Sequence, residues 1–247
     1  MKFTSHESSY LDQTWLDRRV ELFEMWCQPS VANQSYKSFH WIVMLDPETP
    51  DEVVNQLNRL DCVDARRIEN RQHDQLGKMV TELSGESEWV ITCNLDSDDI
   101  LHKDFVLDIV SSVRNDPPSE MTFLNFPWGY SFYKGKFYRQ RWNYNQFRAL
   151  FERTSECKTI YQRNNDLIEG YAPIRYIHRM PRWAAGVHGG NVANQRVGLR
   201  DLSVKRSDWG LQGRDQPAGV RDYLDLVRTI IRESIRFVAK KMRGMRW

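Results

Sequence analysis

Residues 89–101 decide the fold of this chain; they are Trp89-Val90-Ile91-Thr92-Cys93-Asn94-Leu95-Asp96-Ser97-Asp98-Asp99-Ile100-Leu101. The apolar first part is rich in β-forming residues and predicts a buried strand. Three carboxylates follow, although clustered like charges repel and raise one another's pKa. A divalent cation is the simplest counter-charge, because Mg²⁺ binds carboxylate oxygens and keeps positions for phosphate oxygens. Asp96-Ser97-Asp98 therefore predicts a metal–diphosphate site at the carboxyl edge of a sheet, where α/β proteins bind ligands. The alternative is that Asp98 or Asp99 caps a helix starting near His102.

The segments around this stretch alternate between strand and helix. The apolar periodicity predicts helices over Gln13 to Gln34, Pro50 to Leu60, Gln72 to Leu83 and Lys103 to Arg114, and strands over Phe39 to Asp46 and Ala65 to Asn70. Such alternation is typical of parallel strands joined by right-handed crossovers, so we expect a Rossmann-like α/β half. No Gly-x-Gly-x-x-Gly follows a strand and no Walker-type loop is present, which disfavours both of those nucleotide sites.

The charges divide the chain into two unequal halves. The net charge of the 247 residues is +2, but residues 1–120 carry 11 Lys/Arg against 23 Asp/Glu, and residues 121–247 carry 24 against 10. The acidic half suits a metal site, and the basic half suits a phosphate-bearing substrate, an anionic membrane surface or docking on the first half. The four cysteines are scattered, and neither a membrane span nor a signal peptide is evident, so we expect a cytoplasmic protein.

The second half is rich in aromatic residues. Tyr133-Lys134-Gly135-Lys136 predicts a hairpin turn. The aromatic residues from Trp128 to Tyr138 are candidates for an acceptor platform that stacks on sugar faces, and packing between sheet and helix is an equal alternative. We expect a short helix over Asn145 to Arg153 and a short strand over Lys158 to Tyr161.

A histidine next to two glycines forms a second candidate site. His188 follows the apolar segment Trp183 to Val187 and precedes Gly189 and Gly190, where backbone can approach a ligand closely. Imidazole is a competent metal ligand, although a structural hydrogen bond is the commoner role of a single histidine.

The last stretch, Val220 to Trp247, predicts a basic amphipathic helix. Apolar residues recur every three or four positions, and the stretch carries eight Lys/Arg against three Asp/Glu. Such a helix can lie in a membrane interface, or it can pack on the core with a solvated outer face.

Several of these segments together resemble a known family. Trp15 to Phe23, Pro29 to Gln34, Phe39 to Asp46, Leu95 to Asp99, Asn145 to Glu152 and Trp183 to Asn191 are similar to the rhamnosyltransferase family of GT-A-type glycosyltransferases. The resemblance spans about residues 10–195, and the Asp-rich motif supports the wider superfamily more firmly than the sugar.

The resemblance implies a GT-A fold: a Rossmann-like, mostly parallel central sheet flanked by helices, with the C-terminal amphipathic helix added. It implies a dTDP-, UDP- or GDP-sugar donor and a Mg²⁺ or Mn²⁺ ion. By similarity, Asp96 lies near the donor ribose or the metal, Asp98 coordinates the metal on the diphosphate, and Asp99 orients the donor sugar. His188 resembles the C-terminal metal ligand of GT-A enzymes.

Two features of the sequence depart from the family pattern, one at its N-terminus and one in its second half. GT-A enzymes begin with a full apolar strand, whereas only Lys2-Phe3-Thr4 stands here, so we expect a short first strand or a missing N-terminal segment. Arg163-Asn164-Asn165-Asp166 also lacks an expected histidine, which puts acceptor-side chemistry there in doubt.

The resulting hypothesis is metal-dependent, inverting transfer of a hexose such as rhamnose to a glycan, lipid or small-molecule acceptor. Residues 1–118 would form the nucleotide-sugar half, residues 119–200 the acceptor half, and residues 201–247 a basic linker and helix that can touch the inner membrane face. The base candidates are Glu152, Asp166 and Glu169, and Lys78 and Arg71 are candidate diphosphate contacts. Each of these five residues could instead be an ordinary solvated charge.

Two other functions compete with this hypothesis. A nucleotidyltransferase acting on sugar phosphates also places acids on a metal–diphosphate, but it should carry a Gly-rich phosphate loop, which is lacking. A non-catalytic protein that binds carbohydrate or a membrane surface would use the aromatic residues and the basic tail. Neither reading involves nucleic acid.

Overall fold

The computed structural model describes residues 13–68, 73–162, 170–177, 180–189, 197–213 and, except for 221 and 225, residues 219–231. Its N-terminal part is one interrupted helix, as the sequence predicts: α1 (Gln13–Leu22), a π-helical turn (Phe23–Cys27) and α2 (Gln28–Ala32). Leu16, Val20 and Phe23 face the core. Pro29 lies in the first turn of α2, directly after the π-helical turn, and it has no N–H to donate.

The first half then alternates as the apolar pattern predicts, with shorter strands. The elements are β1 (Ile42–Leu45), α3 (Asp51–Leu57), β2 (Asp64–Arg67), α4 (His73–Ser84), β3 (Trp89–Cys93) and α5 (Phe105–Asn115). Strands β1 and β2 pair in parallel, from Ile42 opposite Asp64 to Leu45 opposite Arg67. A two-residue strand that the sequence did not indicate, β4 (Ile100–Leu101), follows the acidic residues. Residues 2–4, the expected stub of a first strand, lie outside the described residues.

The described residues of the second half form seven strands. They are β5 (Thr122–Asn125), β6 (Trp128–Tyr133), β7 (Lys136–Arg141), β8 (Ala149–Arg153), β9 (Ile174–Tyr176), β10 (Trp183–Val187) and β11 (Leu199–Arg200). The described strands form a five-stranded sheet in the order β11-β7-β6-β10-β4, a four-stranded sheet in the order β3-β8-β5-β9, and the β1-β2 pair. Three of the described pairs are parallel (β1-β2, β6-β10 and β5-β9), and the other five are antiparallel. The fold is therefore α/β with mixed sheets, and the mostly parallel arrangement that we expected is not formed by these strands.

Two local predictions in this half are wrong. The expected helix over Asn145 to Arg153 is a turn followed by strand β8, because the apolar residues of β8 are buried between β3 and β5, and packing outweighs helix propensity there. The expected strand over Lys158 to Tyr161 contains a 3₁₀ turn, Ile160–Gln162. The hairpin turn is confirmed: Lys134 and Gly135 have φ values of +49° and +74° and join β6 to β7.

The aromatic hairpin contributes mainly to packing. Tyr130, Phe132 and Phe137 are buried in a cluster with Trp209. Trp128 is half-buried, with the guanidinium groups of Arg139 and Arg141 at 5.1 and 5.8 Å from its ring.

The N-terminal helical unit is joined to α5 through buried contacts. Gln34, at the end of the first helical unit, is fully buried; its Nε2 donates to the carbonyl oxygens of Ser30 (3.0 Å) and His102 (2.9 Å), and its Oε1 accepts from the N–H of Val106 (3.1 Å). This side chain fixes the start of α5 against the N-terminal helix.

Replacing Gln34 should test how much this connection stabilises the fold. Gln34→Ala leaves a buried carbonyl and a buried N–H without partners, so we expect the free energy of unfolding to fall by about 2 to 4 kcal/mol. Gln28→Ala on the same helix removes one exposed hydrogen bond to the Asp61 carbonyl and should cost less than about 1 kcal/mol. Urea unfolding followed by circular dichroism measures both, and equal losses would contradict this role of Gln34.

Candidate functional site

The three acids lie in a tight turn between β3 and β4, where the sequence predicts them. The N–H of Asp99 donates to the carbonyl oxygen of Asp96 at 3.1 Å, which closes the turn. Asp96 is half-buried, Asp98 is 6% exposed and Asp99 is fully buried. The acids therefore differ in environment although they are adjacent in sequence.

Asp99 faces inward. Its Oδ1 accepts the N–H of Gly186 on β10 at 2.9 Å, and its Oδ2 accepts Nε2 of Gln146 at 2.8 Å. Burial raises the pKa of Asp99 well above its usual range, and the charges of Asp98 and Asp96 raise it further. These contacts give Asp99 an anchoring role; its expected role in orienting the donor sugar stays a prediction.

Asp98 faces a histidine and an arginine. Its Oδ2 lies 2.8 Å from Nε2 of His188, in the segment after β10, and its Oδ1 lies 3.3 Å from the guanidinium of Arg19 on α1. Arg19 also donates to the hydroxyl of Ser97. Burial acts to raise the pKa of Asp98, but the bonds from His188 and Arg19 outweigh it, so the pKa lies below its ordinary value and the carboxylate is ionised at neutral pH.

A glycine allows β10 to approach the acidic turn. A Cβ on Gly186 would lie 2.0 Å from the carbonyl oxygen of Asp98 and 3.0 Å from the ring of Trp26. Only a residue without a side chain fits this contact, which brings His188 next to Asp98.

Asp98 and His188 present a carboxylate oxygen and an imidazole nitrogen, which are both donor types for a divalent cation. The two atoms lie 2.8 Å apart, which is the distance of a direct hydrogen bond or ion pair. Within the described residues, however, no three His, Cys, Asp or Glu side chains converge on one metal position. The described residues therefore offer two candidate ligand atoms at this position, Oδ2 of Asp98 and Nε2 of His188, and Asp96 is not a third ligand beside them.

The other predicted site residues are dispersed. Glu152 is buried on β8; its oxygens accept from the N–H groups of Lys158 and Thr159, both at 2.9 Å, so it anchors the following loop. Burial raises the pKa of Glu152. Lys78 is exposed on α4, and Arg71, Asp166 and Glu169 lie outside the described residues.

Two residues of this site were not recognised in the sequence. Arg19 lies 79 positions before Asp98, and Gln146 lies 47 positions after Asp99. Both fall inside segments that carry the family resemblance, which was the one available signal, since a solvated arginine and a buried one look alike in sequence.

Comparison with protein families now identifies the chain's relatives. The model of a family described as "Putative rhamnosyl transferase" matches residues 4–200. The chain belongs to this rhamnosyl transferase family. The match covers α1, the acidic turn and His188, so the site lies within the shared region. No protein with a curated description matches the chain.

Two solved structures resemble the fold. Residues 1–349 of TarS from S. aureus in complex with UDP-GlcNAc give a TM-score of 0.47 at 14% identity, over 70% of this chain and 57% of that one. TarS 1–349 described without a ligand gives 0.41 at 15% identity, over 68% and 57%. The chain thus spans less than two thirds of either matched structure.

Substitution of Asp99 should separate anchoring from charge. Asp99→Ala loses both hydrogen bonds and should lower the free energy of unfolding by about 3 kcal/mol, whereas Asp99→Asn keeps an acceptor and should lose less.

Because the folded pKa of Asp99 is raised, the stability of the wild type falls as pH rises from the unfolded pKa of about 3.9 through the folded value. Asp99→Asn cannot ionise and lacks this decline.

Urea unfolding of the wild type and Asp99→Asn at pH 5 and pH 8 measures the effect. The stability of Asp99→Asn relative to the wild type should increase with pH. The same pH dependence in both proteins would show that Asp99 is not buried as described.

Proposed function

We propose that this chain transfers a hexose, with rhamnose as the expected sugar, from a nucleotide-sugar donor to a carbohydrate or lipid-linked acceptor. Membership of the rhamnosyl transferase family supports glycosyl transfer. The observation that carries the site assignment is the buried, ionised Asp98, which lies after an apolar strand and 2.8 Å from His188.

Asp98 and His188 would hold the Mg²⁺ or Mn²⁺ ion. A cation at this pair supplies the charge that a departing nucleoside diphosphate needs. The chain's own contribution is to hold the carboxylate ionised and the imidazole fixed beside it, through Gly186 and the inward-facing Asp99. Arg19 adds a permanent positive charge next to the same carboxylate, and a guanidinium is well suited to phosphate oxygens.

The roles of the two halves form part of the proposal. Residues 1–118 would bind the nucleotide-sugar, residues 119–200 would bind the acceptor, and residues 201–247 would form the linker and helix. The described contacts support cooperation, because His188 and Gln146 from the second half meet the acids of the first. Inverting transfer needs a base. Asp166 and Glu169 remain candidates, while the oxygens of Glu152 are already used by backbone N–H groups.

A second proposal concerns contact with an anionic membrane surface. Residues 220–231 are helical where described, and their exposed apolar side chains are Val220, Tyr223, Leu224, Val227, Ile230 and Ile231. This spacing places them on one face. Asp222, on another face, binds Lys136 at 2.5 Å, so the apolar face is turned outward. Among the described helices, none has both the length and the apolar character needed to cross a membrane.

Asp98→Asn should test the catalytic proposal. The neutral amide binds a divalent cation much more weakly than a carboxylate does and cannot balance Arg19, so we expect sugar transfer to fall about 100-fold or more while the circular dichroism spectrum is retained. Asp61→Asn, at an exposed position, is the matched control and should keep full activity. Unchanged turnover in Asp98→Asn would contradict the assignment of Asp98 to the site.

The nucleotide of the donor is identified separately, by thermal shifts of the protein with UDP, GDP and dTDP, with and without Mn²⁺.

Removal of the apolar face should test the membrane proposal. Leu224→Ser combined with Val227→Ser takes away half-exposed apolar area, so we expect the partition coefficient onto phosphatidylglycerol-containing vesicles, measured by co-sedimentation, to fall by about 30-fold or more, at about 1 to 2 kcal/mol per side chain. Exposed Leu107→Ser, on α5, is the control for a general loss of surface hydrophobicity. Equal vesicle binding by the wild type and the double variant, or no binding by the wild type, would contradict membrane contact.

A further inference from the structure

The first helical unit forms one wall of the acidic turn. Arg19 on α1 contacts Asp98. Trp26, in the π-helical turn, has a ring atom 3.0 Å from the position that a Cβ on Gly186 would take, and its ring centre lies 6.2 Å from that of His188. The helix therefore reaches both residues of the proposed metal position, and Arg19 is the charged group that it brings there.

Arg19 is held in a largely enclosed position. The exposed fraction of its side chain is 15%, and that of Asp98 is 9%. Its Nη2 lies 3.3 Å from Oδ1 of Asp98 and also donates to the hydroxyl of Ser97. The guanidinium carbon lies 6.0 Å from the ring centre of Trp15. A charge in such surroundings requires a negative partner, because its removal from water is unfavourable, and Asp98 is that partner in this arrangement.

The pairing of Arg19 with Asp98 is nevertheless loose. Charge-assisted hydrogen bonds between a guanidinium and a carboxylate are about 2.7 to 2.9 Å long. The N···O distance of this ion pair is 3.3 Å, whereas Nε2 of His188 lies 2.8 Å from the other oxygen of the same carboxylate. Arg19 can therefore leave Asp98 with a smaller loss of free energy than an optimally paired arginine would.

A divalent cation and Arg19 would compete for this carboxylate. An ion bound to Asp98 would place two further positive charges beside the guanidinium, and salt screens such repulsion only weakly in a partly buried site. A diphosphate removes the conflict, because its oxygens carry enough negative charge for both cations. The planar guanidinium also matches phosphate oxygens in geometry.

We infer that Arg19 is a diphosphate-binding side chain that Asp98 holds in place until a divalent cation takes the carboxylate. The cation then binds Asp98, and the guanidinium turns to the phosphate oxygens of the donor. The carboxylate thus exchanges one positive partner for another. The inference rests on the proposed function for the identity of both ligands, the metal and the nucleotide-sugar.

Arg19 is better placed for this role than the lysine that the sequence suggested. Lys78 is exposed on α4, whereas Arg19 already contacts two residues of the acidic turn, Ser97 and Asp98. A side chain that is ordered before its ligand binds loses less conformational entropy on binding.

The exchange couples the two ligands. A cation at Asp98 releases Arg19 for the diphosphate, and a diphosphate that binds Arg19 frees Asp98 for the cation. Such coupling is reciprocal, so each ligand should raise the affinity for the other. A metal that bridges protein and phosphate would give the same result without Arg19, and for that reason each ligand is best measured alone.

Binding of Mn²⁺ alone measures the first half of the exchange. Arg19→Gln removes the competing charge, so we expect the full chain to bind Mn²⁺ about fivefold more tightly than the wild type, with free Mn²⁺ measured by electron paramagnetic resonance. Arg18→Gln is the matched control, because Arg18 is exposed and pairs with Glu21, and it should leave this affinity unchanged. A purely structural role of Arg19 predicts weaker binding of Mn²⁺ instead.

Binding of pyrophosphate without metal measures the second half. In EDTA, Asp98→Asn releases Arg19 from its pairing, so we expect pyrophosphate to bind roughly tenfold more tightly than to the wild type, as measured by isothermal titration calorimetry. Part of this gain comes from the lost negative charge alone. The double variant Asp98→Asn/Arg19→Gln keeps that part and should lose most of the gain, whereas Asp98→Asn/Arg18→Gln should retain it.

A lysine variant keeps the test decisive if the glutamine variants of Arg19 do not fold. Arg19→Lys preserves the charge, so it should bind Mn²⁺ alone as the wild type does. An ammonium lacks the planar fork of a guanidinium, so Asp98→Asn/Arg19→Lys should bind pyrophosphate about threefold or more weakly than Asp98→Asn.

Either of two results would overturn the inference: an unchanged or weaker affinity of Arg19→Gln for Mn²⁺, or a gain in pyrophosphate affinity that survives replacement of Arg19. These assays contain no sugar. Failure of the exchange and failure of glycosyl transfer are therefore observed separately.

Discussion

The site depends on a carboxylate that is kept away from solvent. Asp99 accepts one hydrogen bond from the backbone of β10 and one from Gln146, and thereby joins the acidic turn to two segments of the second half. A buried carboxyl is tolerated because both oxygens have donors and because its raised pKa favours the neutral form. With Asp99 turned inward, the preceding carboxylate of Asp98 is directed toward His188 and Arg19.

Charge distribution explains how three adjacent acids can coexist. Asp99 is shielded by burial and hydrogen bonds, Asp98 is balanced by Arg19 and His188, and Asp96 is half-buried. The acids thus have separate environments within one turn.

The sheets show where the architecture is tightly packed and where it is open. Trp183 is fully buried, stacks on Phe147 with ring centres 4.6 Å apart and donates to the Phe126 carbonyl, so the strand that precedes His188 is tightly packed. On the other side of the acidic turn, β3 borders a cavity of about 660 Å³ and has no fully buried residue. The acidic turn therefore joins a well-packed sheet to an incompletely filled one.

The sequence by itself determined the features that depend on local patterns. These are the alternation of helix and strand up to α5, the hairpin turn at Gly135, and the place of the acids after an apolar strand. Periodicity and turn chemistry encode such features within a few residues of chain.

Only the tertiary structure decided which groups meet. Asp98 and His188 are 90 positions apart, Arg19 reaches the turn from the first helix, and β8 becomes a strand because β3 and β5 flank it. The mixed direction of the strands and the cavity between β1 and β3 also depend on the path of the whole chain. The physical reason is that burial, pairing and pKa arise from neighbours distant in sequence, which no local pattern specifies.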